Sequence, residues 1–211
     1  SPIVSSITHK ENIKCYSGID ERSMAYRALG YAKASGKPGV LVCTSGTAMA
    51  NYLPAVIEAY QTNLPLIILS ADRPKKLVES GDNQSIRQQQ MFGKFIRAEL
   101  ELETPNDLTT PQELVDKISR FVSQNHLNGP IHINLPFEEP LDQAQDKTSL
   151  EYRNLASRVN FTEFLKRKTS TLSLPSLSAS KKTLLVLGPT PEPHSKKLLK
   201  KLVNSSNLPC L

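Results

Sequence analysis

The chain has 211 residues, 38% of them hydrophobic, enough to bury a core of its own and long enough for one full domain plus something extra. No run of about 18 apolar residues occurs, which excludes a helical membrane span within it. The net charge of +6 invites a nucleic-acid reading, but residues 166–211 hold nine Lys/Arg against the single acid Glu192, while residues 1–165 hold seventeen bases against nineteen acids. The basic pairs Lys181-Lys182, Lys196-Lys197 and Lys200-Lys201 have no interleaved aromatics and read as a solvated face, so no nucleic acid is expected as partner.

Along the chain, short apolar runs alternate with helical periodicity. Residues 13–16 read as a first strand. "GIDERSMAYRALGYAKASG" (18–36) predicts a helix over 21–35 with Met24, Ala28, Tyr31 and Ala32 on one stripe, stopped by Gly36 and Pro38. A strand over 39–44 follows, then a helix from about 47 to 61 in which Pro54 predicts a kink or break near Tyr52-Leu53. Further strands are expected at 65–71, 96–102 (half-buried) and 130–135, with a helix over about 111–125. Residues 1–140 thus form one domain, residues 141–181 a polar Ser/Thr/Leu-rich linker, and residues 182–211 the start of a second α/β domain, with a strand at 183–189 and a Lys-rich helix over about 194–204.

This alternation predicts an α/β fold with a mostly parallel sheet and helices on both faces. Such sheets bind ligands beyond the carboxyl ends of their strands, where the turns 17–20, 44–47 and 71–73 open. Glu21 falls at that edge. Taken locally, it reads as a first-turn carboxylate that complements the helix dipole. Cys15, Cys43 and Cys210 are odd in number and lack CxxC spacing; they read as buried, reduced thiols of a cytoplasmic protein. His9, His126 and His132 show no ligand spacing, and His132 within "GPIHINLP" reads as a satisfied strand residue. "GDNQSIRQQQMFG" (81–93) concentrates amide side chains in a segment that ought to pack, and is open to reading as a site or as a solvated helix.

Three separated stretches carry a resemblance: "DERSMAYRALGYAKASGKPGVLVCTSGTAMANYLPAVIEA", "PLIILSADRPKKLVESGDNQSIRQQQMFG" and "GPIHINLPFEEPL". Together, over about residues 1–140, they resemble the pyrimidine-binding domain of thiamine-diphosphate enzymes. More narrowly, they resemble the 2-succinyl-5-enolpyruvyl-6-hydroxy-3-cyclohexene-1-carboxylate synthases of menaquinone and phylloquinone biosynthesis. Gly46-Thr47-Ala48 stands where acetolactate synthases usually carry Gly-Pro-Gly, and "ADRP" followed after nine residues by "NQ" is typical of the quinone-pathway family. The start at "SPI" and the stop near Leu211 read as those of a fragment lacking the first strand, most of a central domain and the diphosphate-binding domain.

The resemblance implies that Glu21 hydrogen-bonds the aminopyrimidine N1′ of thiamine diphosphate and favours the tautomer that removes the C2 proton. It implies that Thr44, Ser45, Gly46, Thr47 and Asn51 line the pyrimidine side of the cofactor. Arg73, Asn83 and Gln84 would bind the anionic substrate, isochorismate, or its adduct with the group derived from 2-oxoglutarate, since a guanidinium fork and amide donors suit anions. Magnesium would be held by the absent domain, so no metal ligand is expected here. A homodimer or tetramer is implied, because the family's cofactor lies between subunits. Two other readings remain: a different thiamine-diphosphate carboligase or decarboxylase, and a non-catalytic interaction domain.

Overall fold

A computed structural model describes residues 2–8, 10–104, 110–125, 128–139, 141, 154 and 193–206. Helix α1 (Pro2–Thr8) is followed by α2 (Glu21–Ser35), strand β1 (Gly39–Cys43), a 3₁₀ turn (Gly46–Tyr52), α3 (Leu53–Thr62), β2 (Leu66–Asp72), β3 (Ala98–Glu101), α4 (Pro111–Asn125) and β4 (Pro130–Pro136). The four strands form one parallel sheet in the order β1-β2-β4-β3. The chain divides into residues 1–165 and 166–211, and within the second unit helix α5 (Pro193–Ser206) is described. The linker over 141–181, apart from residues 141 and 154, the strand at 183–189, His9, His126 and Cys210 lie outside the described residues.

Helix α2 begins where its sequence says it should. Asp20 adopts extended backbone at the N-cap and its carboxylate accepts from the amides of Arg22 and Ser23, satisfying two otherwise orphaned donors. Gly36 closes the helix in the left-handed region at φ 69°, and its amide donates to the Ala32 carbonyl. The buried stripe is Ala25, Leu29 and Ala32, whereas Tyr31 is exposed, so the core face is rotated from the expected one. Small side chains there let α2 lie close on β1: a Cβ on Gly39 would come within 2.6 Å of the Ala28 carbonyl oxygen.

The expected break at Pro54 is present. A 3₁₀ segment runs to Tyr52, and α3 starts at Leu53 with the proline at its first positions, where no amide donor is required. Tyr52 donates its hydroxyl to the Val42 carbonyl, pinning this junction to β1.

Register places Leu41, Cys43, Ile68, Ser70, His132, Asn134, Glu99 and Glu101 on one sheet face, since Cys43 pairs with Ser70, Ser70 with Asn134, and Asn134 with Glu101. The apolar half of that face meets α2, the 3₁₀ turn and α3 in a core of Ala25, Leu41, Met49, Tyr52, Ala55, Val56, Ile68 and Phe92. Chain direction across the sheet reverses between β1→β2 and β3→β4, so the right-handed crossover rule puts α3 and α4 on opposite faces. Fully buried Ile131 and Ile133 face the α4 side.

Two expectations fail. Residues 13–16 form no strand; they are exposed and unpaired, because β1 pairs only with β2 among the described residues. An alternating apolar run makes a strand only if a sheet edge receives it. Cys15 in that segment is therefore exposed, and among the described cysteines only Cys43 is a buried thiol.

Candidate functional site

The parallel register brings the carboxyl ends of β1 and β2 side by side, and α2, running back into β1, brings its N-terminus to the same edge. Glu21, the first residue of α2, is half-buried there. Asn51, thirty residues later on the 3₁₀ turn, donates its side-chain amide to Glu21 Oε2 at 3.3 Å. Behind the carboxylate lie Cys43 and Tyr52: burial pushes the Cys43 thiol up to about 12 and the Tyr52 hydroxyl well above its ordinary value, with the Glu21 charge adding to both.

Residues 44–47 differ in exposure. Thr44 and Thr47 face outward, whereas Ser45 and Gly46 are buried. The Ser45 hydroxyl finds no hydrogen-bond partner among the described residues. Gly46 has φ 83°, and a Cβ there would sit 3.3–3.4 Å from Cα, Cβ and O of Gln84, so this turn and the 81–93 segment are in close backbone contact.

That segment is neither a solvated helix nor freely exposed. It is a series of turns in which Asn83 and Gln84 are exposed, Gln84 at φ 56°, while Gln88 is buried. Gln88 accepts the Gly46 amide at 2.7 Å and donates to the Ala71 carbonyl at 3.1 Å and Asn134 Oδ1 at 2.8 Å. Arg73 follows β2 and lines a cavity of about 200 Å³ with Asp72, Lys75, Val78, Arg87, Gln88, Gln89 and Glu101. Lys75 pairs with Glu103 and Arg87 with Glu79, but no carboxylate lies within ion-pair distance of the Arg73 guanidinium among the described residues. It is the cation of this cavity left to meet an anion.

Beneath the cavity runs a polar layer whose extent sequence reading missed. Asn134 donates to Asp72 Oδ2 (2.7 Å) and Glu101 Oε1 (2.9 Å), which orients its amide so that Oδ1 accepts from Gln88 and Ser70. Having spent its proton on Asn134, the Ser70 hydroxyl can only accept from His132 Nε2 at 2.7 Å. His132 Nδ1 lies 3.0 Å from Glu99 Oε1, with one proton between them. Fully buried and bonded at both nitrogens, His132 is the satisfied strand residue its setting predicted. Burial pushes Glu99 up, but His132 and the Gln90 amide outweigh it and hold the carboxyl below its ordinary value. Burial raises Asp72 and Glu101 despite the Asn134 amide, and Asp72 and Glu99 raise Glu101 further. The only signal for this layer is the spacing of polar residues at i and i+2 in "SAD", "ELE" and "HIN".

Among the described residues no group of three His, Cys, Asp or Glu is placed to hold a metal ion, and no helix is long and apolar enough to cross a membrane.

Residues 1–92 match the family model described as thiamine pyrophosphate enzyme, N-terminal TPP binding domain. The chain is 46% identical over 144 residues to the 2-succinyl-5-enolpyruvyl-6-hydroxy-3-cyclohexene-1-carboxylate synthase of Chlorobium phaeobacteroides, covering 67% of this chain and 25% of that protein. The correspondingly named proteins of Chlorobaculum tepidum and Histophilus somni are 52% identical over 125 residues (58% of this chain, 22% of theirs) and 48% identical over 132 (63% and 23%). The chain therefore spans about a quarter of the length of these relatives. The parallel α/β architecture and these similarities lead to one assignment: residues 1–92 carry the N-terminal TPP binding domain of thiamine pyrophosphate enzymes, and the chain is similar to the 2-succinyl-5-enolpyruvyl-6-hydroxy-3-cyclohexene-1-carboxylate synthases.

Proposed function

We propose that this chain supplies the pyrimidine-facing half of a thiamine-diphosphate site in an enzyme that decarboxylates 2-oxoglutarate and adds the succinyl group to isochorismate, in menaquinone or phylloquinone biosynthesis. The observation that carries the reading is the 46% identity over 144 residues to a synthase so named. The local chemistry fits. Glu21 has one oxygen held by Asn51 and the other without a hydrogen bond among the described residues, so it can meet a heteroaromatic ring nitrogen. Thr44 and Thr47 are exposed on the turn that follows β1.

Thiamine diphosphate, when bound, supplies a C2 carbon that becomes nucleophilic after proton loss and accepts the electrons released on decarboxylation. Glu21 would hold a proton at the pyrimidine N1′, and Asn51 fixes which carboxylate oxygen is free to do so. The buried Cys43 and Tyr52 keep water from the rear of that carboxylate. Arg73, with no carboxylate within ion-pair distance among the described residues, would orient a substrate carboxylate, and Asn83 and Gln84 would serve as amide donors. Asn83 and Gln84 are exposed in this chain and Ser45 is buried, so Ser45 would act through its backbone and not its hydroxyl. Magnesium would be bound by residues outside this chain, and the working form would be a homodimer or tetramer in the cytoplasm.

The test is turnover by the intact protein that carries this chain, supplied with thiamine diphosphate, magnesium, 2-oxoglutarate and isochorismate. Formation of the succinylated product is expected. Turnover of pyruvate alone, with none of that product, would replace this reading with an acetolactate-synthase-like one.

A further inference from the structure

Gln88 lies between the two halves of the proposed site, buried in the wall of the Arg73 cavity. The residue is 1% exposed, and its amide oxygen and both N–H donors each bond a different element. The carbonyl oxygen accepts the Gly46 amide at 2.7 Å, and Gly46 is the positive-φ pivot of the turn carrying Thr44 and Thr47. One N–H reaches the Ala71 carbonyl at 3.1 Å, two residues before Arg73. The other reaches Asn134 Oδ1 at 2.8 Å, and Asn134 in turn holds Asp72, whose Oδ1 accepts the Arg73 amide at 2.8 Å.

We propose that Gln88 is a positioning residue: a single buried amide that locks the Gly46 turn, on the cofactor side, to the end of β2 that presents Arg73, on the substrate side. The inference rests on the functional reading above and concerns a residue whose buried amide is committed to Gly46, Ala71 and Asn134 rather than to a ligand. The polarity of the clamp is specific. Only a group with one acceptor and two donors in a planar fork satisfies the Gly46 amide, the Ala71 carbonyl and Asn134 Oδ1 together. Without the amide the Gly46 N–H loses its acceptor and Asn134 Oδ1 keeps only Ser70, a cost that the turns relieve by shifting. Because Gly46 also abuts Gln84, a shift of that turn moves the segment bearing Asn83 and Gln84.

Two variants of the intact protein separate the two ends. Gln88→Glu keeps an acceptor for Gly46 but loses both donors; Gln88→Met loses all three bonds at similar volume. Amide hydrogen exchange at Gly46, read beside exchange at Ile68 in the core of β2, is the readout independent of activity. Gln88→Met is expected to raise Gly46 exchange at least tenfold with Ile68 unchanged. Gln88→Glu is expected to keep Gly46 protected while raising KM for the anionic substrate several-fold with little change in cofactor affinity. Unchanged Gly46 exchange in Gln88→Met would overturn the clamp, as would equal loosening of Gly46 and Ile68 in both variants. Absence of turnover by the wild-type protein would overturn the functional reading instead, and the exchange data would still decide whether Gln88 holds the turn.

Discussion

Asn51 donates its side-chain amide to Glu21 at 3.3 Å, tying the 3₁₀ turn after β1 to the first turn of α2. Asp20 already caps that helix, so Glu21 is not needed to satisfy its N-terminal amides and is available for another role. Replacing Asn51 with Ala frees the carboxylate to rotate. The account predicts weaker cofactor binding by roughly three- to tenfold, about 1 kcal/mol for one charge-assisted bond, with the melting temperature nearly unchanged; calorimetric titration of the intact variant checks it.

The half-buried carboxylates Glu99 and Glu101 predict opposing pH dependences. Glu99 is held below its ordinary 4.5, so its contribution to stability is present above that pH and is lost as pH falls through its folded value. Glu101 is raised above 4.5, so its contribution is present below that pH and is lost as pH rises through its folded value. Glu99→Gln should therefore destabilise at pH 7, and Glu101→Gln should stabilise, with both effects shrinking on acidification. Urea unfolding at pH 7 and pH 4 reads both signs.

The two described cysteines should separate cleanly by reactivity. With its thiol pushed up to about 12, Cys43 has roughly one thiolate in 10⁴ or fewer at neutral pH and is shielded besides. Cys15 is exposed. Alkylation of the folded protein followed by peptide mapping should label Cys15 within minutes and Cys43 only after unfolding.

Close approach of α2 to β1 predicts that Gly39→Ala destabilises by roughly 1–3 kcal/mol, because the new methyl would meet the Ala28 carbonyl at 2.6 Å, an atom that cannot swing aside. Phe92→Ala should cost about 3–5 kcal/mol, since that ring is buried and packs edge-on against His132 at 5.3 Å. Thermal denaturation distinguishes both from surface controls.

Local signals with a backbone cause were legible in the sequence. The Asp20 cap, the Gly36 stop and the Pro54 break each follow from one residue's geometry, and each is present. Signals that needed a partner were not. The apolar run at 13–16 reads as a strand until the sheet leaves it unpaired, and Tyr31 reads as core until packing selects Ala25, Leu29 and Ala32. Within "IRQQQ", composition does not distinguish Gln88 from Gln89 and Gln90; only the fold turns Gln88 inward, under the Gly46 turn. The Ser70, His132 and Asn134 layer was hidden for the same reason, because strand alternation marks a face without saying that three strands stack polar residues on it.

The central claim is that Glu21 holds the proton at the cofactor's pyrimidine ring, and the most direct measurement is the rate of C2 proton exchange of thiamine diphosphate bound to the intact protein, wild type against Glu21→Gln. The account predicts that the exchange rate falls by about 10²–10⁴-fold in the variant, the range typical of removing a positioned acid or base, while circular dichroism and melting temperature stay those of the wild type. Near-normal exchange in a folded, cofactor-bound Glu21→Gln protein would contradict it.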